Sequence, residues 1–352
     1  MTASPVAEII ARVEGRVGRL SLNRPAALQA LNRPMCEALI AALAAWREDD
    51  GVELILIDHA GERGFCAGGD IRAMAASGAG DGAEGRAFFH AEYRLNDLLQ
   101  RYPKPVCAIM DGVTMGGGVG LSAYATYRVA TEITLWAMPE TGIGLFPDIG
   151  AGWFLPRLPG EIGTWLALTG ARLRADDCLH LKLCTHYVRR ERLEALKAAL
   201  IANPDEARRI LARFSDEPPP APLAGKQAAL DGLFGGQTLE AIIEALEAGS
   251  SWAKDQAAIL AAKSPTSMKV ALRQLRTGAQ RPTFAEEMRL EYRLATRIIA
   301  SPDFQEGVRA VVIDKDNAPR WRPAKLEDVS DADLDALFAP FADEADEWTP
   351  LD

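Results

Sequence analysis

The sequence predicts an α/β fold followed by a mainly helical C-terminal region, and three observations carry that expectation. Short, continuous apolar runs recur in the first half of the chain, as at 53–58 and 105–110, and read as buried strands. Glycine-rich turns and helix-like stretches alternate with these runs, the pattern of a layered sheet whose strand ends present loops. Beyond about residue 150 the spacing of apolar residues becomes mostly helical. The expected division is therefore 1–188 for the α/β core and 189–352 for the helical region.

In chain order, Ile9-Ile10 and the run 17–22 flank Glu14-Gly15-Arg16, a hairpin signature. Met35, Leu39, Leu43 and Trp46 recur at three or four and predict a helix over 33–49, with Asn32 placed to cap it. A glycine-punctuated loop over 61–70 leads to a helix at Ile71, and 87–102 is helical. Helices are then expected at 153–168, 190–201, 239–246, 257–275, 284–299 and 304–313. The proline-rich 214–222 must be a loop. The tail from Pro319 is acidic and ends in a helix at 331–341, read as a surface strap. No internal sequence repeat is evident.

Composition excludes several classes of function. With 352 residues, 48% apolar and 25% charged, the chain has ample material for a packed core. Lys and Arg number 39 against 49 Asp and Glu, a net charge of −10 that opposes non-specific nucleic-acid binding. A local basic pocket for a phosphorylated ligand stays compatible with it. The five cysteines are odd in number and lack CxxC spacing, which reads as reduced thiols. The four histidines lack the spacing of a zinc site, so no metal is expected. The first ten residues show no basic segment followed by an apolar run, and no apolar stretch reaches the roughly 18–20 residues of a membrane span. The expectation is a soluble, cytoplasmic protein that engages no membrane.

Gly118-Val119-Gly120-Leu121-Ser122-Ala123 fits GxGxxA, but it lies well inside the chain and no P-loop accompanies it, so a dinucleotide reading is weak. Three adjacent glycines, Gly116 to Gly118, expose backbone N–H groups at a helix start, and Cys66-Ala67-Gly68-Gly69-Asp70 repeats the device. Each bend delivering one N–H would form an oxyanion hole; the plainer reading is two tight turns. Between Met138 and Asp148, Glu140 and Asp148 sit among apolar and glycine residues. Desolvation there would raise their pKa values into a range useful for base or nucleophile chemistry. For Asp148 the plainer reading is a cap for a helix starting at Gly150. His90 and His186 read as structural, and the absence of a GxSxG elbow opposes a serine hydrolase.

Together these residues resemble the crotonase, or enoyl-CoA hydratase/isomerase, superfamily. The likeness runs from about Leu22 to Val188, through Leu22-Asn23-Arg24-Pro25, Phe65-Cys66-Ala67-Gly68-Gly69-Asp70, Met115-Gly116-Gly117-Gly118 and Pro139-Glu140. It is closer to the 3-hydroxyisobutyryl-CoA hydrolase branch, on Asp70-Ile71-Arg72, the segment 114–122, the segment 137–148, and downstream 306–315 and Pro319-Arg320-Trp321. The resemblance implies a spiral core of ββα units holding a CoA-thioester site. Its carbonyl oxygen would meet two backbone N–H groups, at the positions matching Gly69 and Gly117.

The same resemblance implies roles for three acids. Hydratases carry a glutamate two residues after the third glycine; here that position is Gly120, which cannot transfer a proton. Glu140 survives, with Asp148 where hydratases have glycine. Glu140 is expected to act as nucleophile or as base for water, and Asp148 on the substrate's 3-hydroxyl or on proton transfer to the leaving thiolate. Glu92 matches an acidic, substrate-contacting position; alone it reads equally as an exposed helical glutamate. The implied reaction is hydrolysis of a short 3-hydroxyacyl-CoA, first of all 3-hydroxyisobutyryl-CoA in valine breakdown. No metal or redox cofactor is implied, because CoA arrives within the substrate. The alternatives are an enoyl-CoA hydratase or isomerase and a non-catalytic acyl-CoA binding protein. Homo-oligomer formation is left open.

Overall fold

The computed structural model describes residues 7–351. Residues 1–6, part of the start read above as lacking an export signal, lie outside it. The described chain forms two compact, interleaved units. One comprises residues up to Gly69, Arg94–Trp136 and Leu173–Ala221; the other comprises Asp70–Tyr93, Ala137–Arg172 and the chain from Pro222. The sequence-based boundary at 188 falls inside the first unit.

The first unit holds the sheets. β1 (Ile9–Glu14) and β2 (Val17–Leu22) form the expected antiparallel hairpin, turned at Gly15 with φ +59°. They are followed by β3 (Leu54–His59), β4 (Gly64–Cys66), β5 (Val106–Met110), β6 (Val113–Met115), β7 (Tyr127–Ala130), β8 (Leu135–Ala137) and β9 (His186–Tyr187). A six-stranded sheet runs β1-β2-β3-β5-β7-β9 and a three-stranded sheet runs β4-β6-β8. Beyond the hairpin the larger sheet is parallel. This is why β3 and β5 read as unbroken apolar runs rather than alternating ones. The pairs β3/β4, β5/β6 and β7/β8 each send their first strand to the larger sheet and their second to the smaller. That is a spiral repeat of topology, carried by no repeat of sequence. The helix Arg33–Arg47 buries Met35, Leu39, Leu43 and Trp46 as its spacing predicts, and Asn32 Oδ1 accepts from Met35 N at 2.9 Å. Leu193, Leu196, Leu200, Ile210 and Leu211, from the helices Leu193–Ala202 and Ala207–Phe214, pack on sheet residues such as Leu54, Leu56 and Ile109. All five cysteines of the chain are buried, none in a disulfide.

The second unit is helical, and its breaks fall where the backbone demands them. The stretch predicted as one helix over 153–168 is Ala151–Phe154, a 3₁₀ turn Leu155–Arg157, and Ile162–Thr169. Pro159 and Gly160, at φ +54°, separate the last two. The stretch 257–275 is likewise two helices, Ser251–Ala261 and Pro265–Gly278, the second capped by Ser264 with proline in its first turn. The helix Phe284–Ile298 starts at a Thr283 cap, and Pro302–Val308 ends in a π-turn, Arg309–Ile313. In the tail, Asp331–Phe338 carries a Ser330/Asp333 capping box. Trp348 is fully buried, and its indole N–H donates to the His90 carbonyl at 3.3 Å. Among the described residues no helix is long and apolar enough to cross a membrane.

Candidate active site

In the first unit the two glycine bends pack directly on one another. β4 leads into Gly68, whose φ of +115° only glycine adopts readily, and Leu31 N donates to its carbonyl at 2.8 Å. β6 leads into Gly116, φ +46°, which precedes the short helix Gly117–Ser122. A Cβ at Gly68 would sit 3.8 Å from Gly117 N, and one at Gly118 would sit 2.3 Å from the Cys66 carbonyl oxygen. Gly68 therefore serves the turn and Gly118 the close backbone approach. Among the described residues neither the Gly69 nor the Gly117 amide donates to a protein acceptor, and an N–H in the first turn of a helix has no intrahelical partner. Such amides are suited to an oxyanion. Gly118→Ala should lower stability by about 2 kcal/mol or more, because a backbone carbonyl cannot swing away as a side chain would. Urea unfolding of the variant checks this; an unchanged midpoint would show that the bends can separate at no cost.

In the second unit, three carboxyl groups are gathered out of water. Glu140 opens the 3₁₀ helix Glu140–Ile143 behind Pro139, and Gly144, at φ +73°, ends it. Glu140 is 5% exposed, Asp148 5% and Glu92 2%. The Tyr93 hydroxyl donates to Asp148 Oδ2 at 2.8 Å. Glu92 Oε1 and Glu140 Oε2 are buried with no hydrogen-bond partner among the described residues. Both plainer readings fail here. Asp148 contributes no side-chain cap to Ala151–Phe154, whose cap residue is Gly150, and Glu92 faces inward from the helix Ala83–Gln100.

Burial sets the electrostatics of this cluster. It raises Asp148 to about 6, against the Tyr93 hydrogen bond and one from the residue's own backbone, which hold it down. Burial also drives Glu140 well above the usual carboxylate range; the negative charge of Asp148 adds to this, and Lys263 opposes it. Glu92 is raised by burial first, then by Asp148 and Glu140. Three close acids in low dielectric cannot all ionise, so the cluster keeps protons at neutral pH and the first charge falls on Asp148.

Tyr93 and Lys263 went unnoticed in the sequence, as did a second carboxylate pair, Glu287 and Glu291, on the helix Phe284–Ile298. Both glutamates fall on its buried stripe with Phe284, Met288, Leu294 and Ile298. Their positions on that stripe were the available signal. His90, by contrast, stacks edge-on against Tyr292 with ring centroids 5.8 Å apart, as a structural residue does.

The sequence model of the enoyl-CoA hydratase/isomerase family matches residues 17–338. The chain belongs to that family. The 3-hydroxyisobutyryl-CoA hydrolase, mitochondrial, of Danio rerio is 42% identical over 96% of this chain and 91% of its own length. The protein of the same description from Xenopus laevis is 43% identical over 92% of this chain and 86% of its own. Among solved structures, a carnitinyl-CoA dehydratase from Mycobacterium thermoresistibile superposes with a TM-score of 0.91 at 42% identity, covering 95% of this chain and 97% of that one. The family assignment and this likeness establish the expected α/β crotonase-type fold. The expectation of a cytoplasmic protein is overturned: the curated relatives are mitochondrial by name. Composition and thiol chemistry report a reducing environment, not an address, which is why that inference went wrong.

Proposed function

We propose that this family member hydrolyses the thioester bond of a short 3-hydroxyacyl-CoA, with 3-hydroxyisobutyryl-CoA as the first substrate to test and valine breakdown as its setting. The observation that carries the reading is the buried trio Glu92, Glu140 and Asp148, with two carboxyl oxygens that have no partner among the described residues. Buried polar groups are normally satisfied, so such oxygens favour a ligand bearing donors, as a hydroxyacyl group and a water do. The curated relatives of Danio rerio and Xenopus laevis support hydrolysis. The name of the Mycobacterium structure favours a hydratase-type reaction instead. Against that second reading stands Gly120, where hydration would need a second proton-transferring side chain.

The proposed chemistry divides between backbone and side chains. The Gly69 and Gly117 amides would take up the charge that develops on the thioester oxygen, a contribution for which losing one donor typically costs ~10²–10³ in rate. Of Glu140 and Asp148, one is to carry the charge and the other the proton. Their ionised member removes a proton from water as its oxygen attacks the carbonyl carbon, or attacks that carbon directly to give a mixed anhydride that water then opens. Their protonated member returns a proton to the departing CoA thiolate. Either route gives the free hydroxy acid and CoA thiol, without a metal or redox cofactor. In the resting protein the proton belongs to Glu140 and the charge to Asp148, because burial and then the neighbouring Asp148 raise Glu140 well above the usual carboxylate range while Asp148 reaches only about 6. Glu92 is proposed to receive the substrate's 3-hydroxyl.

Purified protein incubated with 3-hydroxyisobutyryl-CoA should release stoichiometric free thiol, read by a thiol reagent. Absorbance loss from an enoyl-CoA with no thiol release would replace the proposal by hydration or isomerisation. Tight binding without turnover of either ester would make the chain an acyl-CoA binding protein.

A further inference from the structure

Glu291 is 0% exposed on the helix Phe284–Ile298, an expensive place for a carboxylate unless it is put to use. Its Oε2 accepts from Gly150 N at 2.7 Å, and its Oε1 from Gly152 N at 3.3 Å and from Gln274 Nε2 at 2.9 Å. These two amides belong to the turn that carries Asp148. That turn is strained: Ile149, a β-branched residue, has φ +55°, and Gly150 has φ +88°. Left-handed backbone at such a residue persists only where its surroundings enforce it.

The fit around the turn is tight enough to do so. A Cβ at Gly152 would lie 1.9 Å from Glu287 Oε1 and 2.6 Å from Gln274 Nε2, and one at Gly278 would lie 1.8 Å from the Gly152 carbonyl oxygen. Gln274 bridges the two glutamates, donating to Glu287 Oε1 at 3.1 Å as well as to Glu291, while Arg281 Nε lies 2.5 Å from Glu287 Oε2. Glycine at 152 is what lets the turn reach this polar floor.

We propose that Glu291 is a positioning residue for thioester hydrolysis: its carboxylate clamps the Gly150 and Gly152 amides and thereby aims Asp148 at the Tyr93 hydroxyl and the reacting groups. The proposal rests on the reading of Asp148 given above. A clamp on two amides needs two accepting oxygens at the right reach. Glu291→Gln keeps the length but only one accepting oxygen and turns its NH₂ against the other amide, whereas Glu291→Asp keeps both oxygens but falls one methylene short.

The test measures thiol release from 3-hydroxyisobutyryl-CoA, melting temperature and a crystal structure for each variant. Glu291→Gln and Glu291→Asp should each lose about tenfold or more in kcat with little change in KM, since a displaced catalytic group loses turnover before binding. In an Asp148→Asn background, Glu291→Asp should add almost nothing, because the two act as a unit. The crystal structure of Glu291→Asp should show the Asp148 carboxylate moved off the Tyr93 hydroxyl. The inference is overturned if either variant keeps parent-like kcat per folded molecule, if the losses multiply, or if only the melting temperature drops. Asp148→Asn impaired with Glu291→Asp fully active defeats the clamp alone. Asp148→Asn fully active defeats the reading of Asp148 and the clamp with it. Should the parent not turn over this ester, the position of Asp148 in the crystal still decides the clamp.

Discussion

Glu140→Gln should release thiol from 3-hydroxyisobutyryl-CoA about 10³-fold more slowly than the parent, with KM changed only a few-fold. The amide keeps the size of the side chain and its place at the start of the 3₁₀ helix Glu140–Ile143. What it removes is the proton, held on Glu140 by burial and by the charge on Asp148. Loss of a positioned acid or base costs ~10²–10⁴ in rate, and the middle of that range applies to an acid that must protonate the leaving thiolate. Single-turnover kinetics with the variant in excess check this directly. Parent-like turnover would take Glu140 out of the chemistry and leave Asp148 and Glu92 to be tested as the reacting pair.

Asp148→Asn should be as badly impaired in turnover and yet more stable than the parent at neutral pH. Burial raises this acid to about 6, so the folded state binds its proton more tightly than the unfolded state, where an aspartate titrates near 3.9. The sign follows. Folding stability falls as pH rises through roughly 4 to 6, and the full cost of the buried charge is present above that window. Asparagine removes the charge and can still accept from the Tyr93 hydroxyl, so the expected gain at pH 7 is about 1–3 kcal/mol, vanishing below pH 4. The same ionisation shapes the rate. In the parent, kcat/KM should decline as pH falls through about 6, and that acid limb should be missing from the residual activity of the variant. Melting curves and rate profiles from pH 4 to 8 read both effects; a variant less stable than the parent at pH 7 would mean the charge is better solvated than its burial implies.

Much of the candidate site was visible in the sequence, for identifiable reasons. The glycine bends announced themselves because the positive φ at Gly68 and the close backbone approach at Gly118 each favour glycine. Glu140 and Asp148 stood out because acids among Met138, Leu145 and Phe146 are rare. The parallel strands were readable as unbroken apolar runs. What escaped notice lay in helices, where a three-to-four spacing fixes a face but not what that face meets. Glu287 and Glu291 share the stripe of Phe284 and Met288, and were passed over because charged residues on an amphipathic helix usually point outward. Tyr93 adjoins Glu92, but its hydroxyl finds a partner 55 residues away, at Asp148, a separation no local pattern encodes. The helix breaks at Pro159-Gly160 and Ser264-Pro265 were legible punctuation that the surrounding apolar spacing outweighed.

The interleaving of the two units carries a consequence for how such a protein is built and altered. Neither unit is one contiguous stretch: the chain leaves and re-enters each of them, switching after Gly69, Tyr93, Trp136, Arg172 and Ala221. A single cut therefore cannot liberate either as an intact fragment. Ending a gene product at residue 188 would strip the larger sheet of the leucine-rich helices that shield it. Recombination between relatives would have to swap three separate exon-sized blocks at once to exchange one half, which favours inheritance of the whole over assembly from parts.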